Sequence, residues 1–347
     1  MNHILISLLF CLLTINPFHS TAQELNDAGA YLEYIGNQFT EVSKDLMSYT
    51  SAASHGRGAK KVEKKRQDLL ITIKEAERAV RKMKAYQGDH QLRDSVAAYF
   101  SLSHLVLRED YGKIVNLEEI AEQSYDAMEA YLMAKELAND KLDLRYESVK
   151  EQHDQFAKKN NIRIIETQSK LTQKLETSGK VHTYYNKIYL IFFKSFKDEV
   201  YLLDAMAKGD VNSMEQTKNA LANSSAEGIG KLTKIGLFNG DAILKNTCQQ
   251  FLSFYQQEAS TKATEQIDFY LKKEKYEKTK KIFDSKRQND RTQDDIDQYN
   301  KAVNEYNSSI NTFNTINNEL NKKRGDLVNS WNKVIDSFLS KYVPKYR

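Results

Sequence analysis

Apolar residues recur along this chain at alternating steps of four and three residues, with polar residues between them. The first such stripe contains Ile35, Phe39, Val42, Leu46 and Tyr49. The second follows the glycine-containing stretch SAASHGRG and contains Leu69, Ile73, Ala76, Val80, Met83 and Tyr86. Because this spacing places side chains on one face of a helix, it predicts two amphipathic helices that face a common core.

A tight turn is predicted between the second helix and the third, in the phrase GDHQLRDSVAAYFSL that begins at Gly88. Gly88 is expected to cap the second helix in a left-handed conformation, which glycine adopts without strain. Asp89 is expected to accept the free amide hydrogens at the start of the third helix. Two helices joined this tightly form an antiparallel hairpin. A fourth helix is predicted from about Leu117 to Lys159.

The same phrase returns 152 residues later (240 − 88) as GDAILKNTCQQFLSF, with Gly240 and Asp241 in the places of Gly88 and Asp89. The aligned apolar pairs include Leu69 and Leu221, Val80 and Leu232, Val96 and Cys248, Tyr99 and Phe251 and, one residue further apart, Phe39 and Phe192. The match predicts an internal duplication. Chance similarity between two amphipathic regions is the alternative.

A long helix is predicted at the carboxyl end, beginning at Thr292 and continuing through Trp331 to Phe338. Its first half carries apolar residues at heptad steps, namely Ile296, Tyr299, Val303, Tyr306, Ile310 and Phe313. The pattern is typical of a coiled coil. Asn317 and Arg324 fall where the seam should be apolar, which indicates either a partner surface or a solvated bend near Gly325.

The fold class predicted from these patterns is all-α. Proline is absent from His19 through Val343 and glycine is sparse, so the residues that most often interrupt helices are missing. The prediction is two tandem, related antiparallel helical-bundle units with long helices, at residues 23–160 and 161–347, the second ending in a coiled-coil-like helix.

A secretory signal peptide is predicted over residues 1–22, MNHILISLLFCLLTINPFHSTA, which contain no charged side chain and hold an apolar run from Ile4 to Ile15. The small residues Ser20 and Ala22 favour cleavage before Gln23. An uncleaved anchor and lipidation at Cys11 are the alternatives. The apolar run is shorter than the ~20 residues of a spanning helix, so no transmembrane segment is expected after cleavage.

No catalytic, metal-binding or cofactor-binding pattern is found in the sequence. The 51 basic and 47 acidic residues give a net charge of +4, which does not indicate a nucleic-acid partner. No Glu is followed three residues later by His, the spacing that places metal ligands inside helical bundles. Cys248 lies on an apolar stripe, where a buried thiol is favoured over a nucleophile.

A basic cluster lies at the predicted start of the second helix and consists of Arg57, Lys60, Lys61, Lys64, Lys65 and Arg66. The positive end of a helix dipole disfavours cations, so local helix stability does not account for this cluster. Contact with anionic glycans or lipid headgroups outside the cell is one hypothesis. A solvated helix face is the other.

The stretches KMKAYQGDHQLRDSVAAYFSL, QFAKKNN and WNKVIDSFLSKYVPK together resemble a family of bacterial exported, all-helical surface or periplasmic proteins of unknown function. The resemblance implies an envelope location and a helical fold, and it brings no catalytic residues. The sequence as a whole favours a non-catalytic scaffold that binds a protein or glycan partner. The alternative is a small-ligand or metal carrier that uses the bundle interior.

Overall fold

The structure is a computed structural model that describes residues 27–55, 58–110, 121–164 and 169–346. The described residues are almost entirely helical and contain no β-strand, so the predicted all-α class is confirmed. The α-helices are α1 Ala28–Ser54, α2 Ala59–Arg81, α3 Gln91–Leu105, α4 Tyr125–Lys159, α5 Lys170–Lys208, α6 Val211–Thr233, α7 Ile243–Gln257, α8 Ala263–Ser285 and α9 Gln293–Tyr342. The predicted signal peptide and the predicted start of the fourth helix at Leu117 lie outside the described residues.

The chain divides into two compact units, Met1–Asn186 with Asp336–Arg347 (unit 1) and Lys187–Ile335 (unit 2). The division falls inside α5, which contributes residues to both units. Helix α9 likewise carries residues of both.

The core of unit 1 is formed by the apolar stripes of its first four helices. Helices α1 and α2 pack together, α3 packs on α2, and α4 packs on α3. Aromatic rings join these layers, with 4.7 Å between the ring centres of Phe39 and Phe100 and 5.3 Å between those of Tyr31 and Phe156. The two stripes predicted for α1 and α2 therefore do face a common core.

The turn between α2 and α3 differs in one respect from the expected one. Helix α2 ends at Arg81, so Gly88 does not cap it. Gly88 instead has a φ of +84° inside a tight turn, in which the backbone N–H groups of Tyr86 and Asp89 each donate to the other residue's carbonyl, at 2.9 and 2.8 Å. The Asp89 carboxylate accepts the backbone N–H of Gln91, the first residue of α3, at 3.1 Å.

The turn between α6 and α7 has the same geometry. Gly240 has a φ of +79°, and the Asp241 carboxylate accepts the Ile243 backbone N–H at 2.9 Å. The bounds of α6 and α7 equal those of α2 and α3 shifted by the 152 residues that separate the two glycines. A side-chain contact recurs at the same offset, since Arg93 donates to the Met83 carbonyl at 3.1 Å and Lys245 to the Ile235 carbonyl at 2.7 Å.

Replacing Gly240 by alanine is expected to destabilise unit 2 by about 1–2 kcal/mol, because an L-residue is strained in the left-handed region. A methyl group at this position meets no atom within 4 Å, so the cost is conformational rather than steric. The matched control is Gly236→Ala in the same connection, where the added methyl also meets open space and φ is not left-handed. Urea unfolding followed by Trp331 fluorescence measures both. Equal midpoints for the two variants would contradict the expectation.

Unit 2 is completed by the long helix α9, which begins where the sequence predicted. The Thr292 hydroxyl accepts a hydrogen bond from the Asp295 backbone N–H at 3.2 Å, and the Asp295 carboxylate accepts one from the Thr292 backbone N–H at 2.9 Å. These two reciprocal bonds form a capping box. The helix continues without a break through Gly325, which is exposed. Helix α8 covers its first half through stacked rings, including Phe269 with Phe313 at 4.2 Å.

Candidate functional site

The basic cluster predicted as a surface for anionic partners is only partly displayed. Lys60, Lys61 and Lys64 are exposed, and Lys65 is half-buried with its ammonium 4.0 Å from Asp68. Arg66 instead points inward and donates to the Leu107 carbonyl at 2.9 Å.

The remaining members of the cluster do not extend the exposed patch. Glu63 forms an ion pair with Arg66 at 2.8 Å, so the Arg66 guanidinium has both a carbonyl and a carboxylate partner inside unit 1. Arg57 lies outside the described residues. The exposed part of the cluster is therefore a patch of three lysines on the first turns of α2.

A buried ionic cluster in unit 2 surrounds Arg324, a residue that sequence reasoning left as a polar break in the α9 seam. The Arg324 guanidinium donates to Glu199 on α5 at 2.5 Å and to Glu258 at 2.7 Å. Both carboxylate side chains are only 1% exposed. Arg324 thus joins three segments of unit 2, and its side chain is 16% exposed.

The charges of the Arg324 cluster do not balance if both carboxyl groups are ionised. Burial, together with the nearby negative charge of Glu199, raises the pKa of Glu258 to about 8. At neutral pH Glu258 is therefore mostly protonated, and the cluster of one guanidinium and one carboxylate is neutral. A neutral cluster has a much smaller desolvation cost than one with an unbalanced charge.

Glu258 is the first residue of a π-helical turn, Glu258–Lys262, that continues α7. Unit 1 has the same turn at Val106–Asp110, after α3. π-Turns inside helices often occur at functional sites. The turn places Glu258 beside a groove.

The groove runs along α7 and α9 of unit 2 and has a volume of about 820 Å³. One wall is a row of polar side chains on α7, here called the amide ladder, which consists of Asn246, Gln249, Gln250, Ser253 and Gln257. The other wall and the rim carry Lys262, Glu319 and Lys323, and the buried side chains of Phe254, Leu320, Leu327 and Glu258 complete the lining.

The corresponding face of unit 1 has a different character. At the 152-residue offset, Gln249 and Gln250 correspond to Ala97 and Ala98, and Glu258 corresponds to Val106. Ala97 and Val106 are fully buried, and α4 packs on α3. Small side chains allow two helices to approach closely, whereas long polar ones hold them apart. Gln249 and Gln250 are exposed and line the groove in unit 2, whereas Ala97 at the corresponding position of unit 1 is buried.

The position that corresponds to Glu199 in unit 1 is Leu46, which is also fully buried. Helix α1 aligns with α5 at an offset of 153 residues (199 − 46), one more than the offset between Gly88 and Gly240. A similar contact in both units supports this alignment. The Asp45 carboxylate accepts a hydrogen bond from Thr72, and the nearby Ser224 hydroxyl partly offsets the rise that burial causes in the pKa of Asp198. Two buried apolar positions of unit 1 are thus acidic in unit 2.

The stability of unit 2 is expected to fall as pH rises from about 5 to 8. The pKa of Glu258 is raised in the folded protein, so the folded state binds a proton that the unfolded chain releases near pH 4.5. Stability is then full below that pH and decreases by up to about 1.4 kcal/mol per pH unit until the folded pKa is passed.

Urea unfolding of unit 2 at pH 5 to 9, followed by Trp331 fluorescence, tests this dependence. Residues 187–335 contain no histidine, so no imidazole titrates in this window within the unit. Glu258→Gln should flatten the profile. An unchanged slope in that variant would show that another group causes the dependence.

Other candidate chemistry is limited within the part of the chain that the structure describes. No group of three or more histidine, cysteine or acidic side chains there is placed to hold a metal ion. Cys248 is fully buried, and burial strongly raises the pKa of its thiol, as expected for a structural cysteine. None of the described helices is long and apolar enough to cross a membrane.

Sequence reasoning missed both the Arg324 cluster and the groove, although one signal for them is visible in the sequence. At aligned positions of the two units, Leu46 and Val106 are apolar whereas Glu199 and Glu258 are acidic. An acidic residue at the position of a buried apolar one indicates a different role there.

Comparisons of the chain with protein-family models, with curated proteins and with solved structures give no match.

Proposed function

We propose that the protein is an exported, non-catalytic helical scaffold that binds a protein or glycan partner at the cell envelope. The observation that carries the proposal is the difference between the two units. Helices α2 and α3 of unit 1 and α6 and α7 of unit 2 have matching bounds and turns, yet α3 carries the buried Ala97 where α7 carries Gln249 of the groove. We infer that the units arose by duplication and that the second copy acquired the binding surface.

A binding role suits the Arg324 cluster better than a catalytic one. A general acid has to reach the reacting atoms of its substrate. Glu199 and Glu258 are almost completely buried and share one guanidinium, so their carboxyl groups hold the groove in shape from beneath. The exposed groups that line the groove are amides, a hydroxyl, the Lys323 ammonium and the Glu319 carboxylate, which is paired with Lys262, and such groups recognise ligands by hydrogen bonds.

The export part of the proposal rests on residues 1–22 and is tested separately. The full-length chain, expressed with its native start in a bacterial host, should appear outside the cytoplasm. Mass spectrometry should show an amino terminus at Gln23. A chain that keeps residues 1–22 and stays in the cytoplasmic fraction would contradict the proposed export.

The partner is sought by site-specific photocrosslinking of the full chain in the envelope of the producing cell. A photoreactive amino acid replaces Ser253, which lies in the groove, or Gln256, which is exposed on the same helix and does not line the groove. A macromolecular adduct formed from position 253 and not from 256 supports the proposal. Adducts of equal yield from both positions, or none from 253, would count against a groove partner.

A further inference from the structure

We propose that the groove of unit 2 binds a short oligosaccharide through the amide ladder. The inference rests on the proposed binding function and adds the chemical class of the ligand. Its three supports are the spacing of the polar side chains, the buried groups beneath them and the composition of the rim.

The amide ladder lies on one face of α7. Its residues, from Asn246 to Gln257, follow one another at steps of three, one, three and four, which keeps them on one side of a helix. At 1.5 Å per residue the ladder is about 16 Å long, enough for several sugar rings in a row. All five side chains are exposed.

The chemistry of the ladder matches that of sugar hydroxyl groups. Each Asn or Gln amide presents both donors and an acceptor, and the Ser253 hydroxyl does the same. A sugar hydroxyl also donates and accepts at once, so neighbouring hydroxyls on a ring can bond the two ends of one amide. A row of four amides and one hydroxyl therefore suits a polyhydroxylated chain.

The buried lining supplies the other contacts that a sugar ring needs. Phe254, Leu320 and Leu327 form apolar surface, against which the C–H faces of a pyranose can pack. Glu258 lies beneath this surface, where its Oε1 accepts a hydrogen bond from Arg324.

The composition of the groove disfavours other ligands. Lys262 and Glu319 form an ion pair at 3.3 Å, which leaves Lys323 as the unbalanced charge on the rim, too little for a polyanion. An extended peptide binds by adding a strand to a sheet edge, and the described residues contain no strand. An amphipathic helix needs a mainly apolar groove, whereas the side chains that line this one are polar or charged apart from Phe254, Leu320 and Leu327.

Isothermal titration of the mature chain with defined hexasaccharides tests the inference. The panel contains uncharged oligomers of glucose, N-acetylglucosamine, mannose and galactose. At least one should bind, and Gln249→Ala with Gln250→Ala should weaken it at least tenfold. This double variant introduces the alanines that unit 1 carries as Ala97 and Ala98, so the fold tolerates them at these positions.

Two further variants distinguish the groove from the rest of α7. Ser253→Trp should abolish binding by filling the groove, while Gln256→Trp on the outside of α7 should leave binding unchanged. Binding by no member of the panel, or equal losses at 253 and 256, would overturn the inference. A protein crosslinked from position 253 together with no saccharide binding would overturn the oligosaccharide alone and leave the scaffold proposal standing.

Discussion

Arg324→Met is expected to destabilise unit 2 by about 3–5 kcal/mol, because it leaves two buried carboxyl groups without their shared cation. Glu199 and Glu258 are each 1% exposed, so water cannot replace the guanidinium without opening the core. Part of the loss will be relieved by protonation of the carboxyl groups, so the variant should be more stable at pH 5 than at pH 8.

An apolar version of the whole cluster should recover the stability that the single variant loses. The triple variant combines Glu199→Leu, Glu258→Val and Arg324→Met. Its first two substitutions introduce the residues that unit 1 has at the aligned positions, Leu46 and Val106. When apolar residues of similar volume replace a buried ion cluster, the protein is often as stable as the original, or more stable by about 1–4 kcal/mol.

Urea unfolding followed by Trp331 fluorescence compares these variants, since Trp331 lies in unit 2 and is the one tryptophan of the chain. Asn321→Ala serves as a control, because Asn321 accepts from the same guanidinium at 2.6 Å but lies on the exposed side. Asn321→Ala should lower the free energy of unfolding by less than about 1 kcal/mol. A single variant as stable as the unmodified protein, or a triple variant no more stable than the single one, would contradict the role assigned to the cluster.

Phe251→Ala is expected to cost unit 2 about 3–5 kcal/mol through loss of buried area and the cavity left behind. Phe251 is fully buried, and its ring lies 5.0 Å from that of Phe192 and 5.4 Å from that of Tyr255. The same substitution should shift Trp331 emission to longer wavelength, because the Trp331 ring lies 6.4 Å from Phe251 and would gain access to water.

Phe283→Ala is the matched control for the Phe251 variant. Phe283 is half-buried, and its ring centre lies 4.5 Å from that of Tyr299 on α9. The Arg291 guanidinium lies over the Phe283 ring, 4.1 Å from its centre. Its removal should cost about 1 kcal/mol and leave Trp331 emission unchanged. Similar losses in the two variants would show that the stability of unit 2 does not depend mainly on the core around Phe251.

The sequence by itself was sufficient for the features that depend on neighbouring residues. The stripes of α1 and α2 predicted helices because their spacing is a local property. The start of α9 at Thr292 followed from a cap residue that acts within one turn. The left-handed conformation at Gly88 and Gly240 followed from the identity of the residue. These signals require no knowledge of distant contacts.

Only the tertiary structure decided what the polar residues inside the stripes do. Arg324 is separated by many residues from Glu199 and Glu258, and its side chain alone does not reveal whether it meets water, a partner or two carboxylates. The inward turn of Arg66 likewise depends on the Leu107 carbonyl, which a different helix places beside it. The groove arises from how closely α7 and α9 pack, and that distance is set by side chains on both helices together. Local spacing therefore determined the helices, while the candidate site required contacts between residues far apart in the chain.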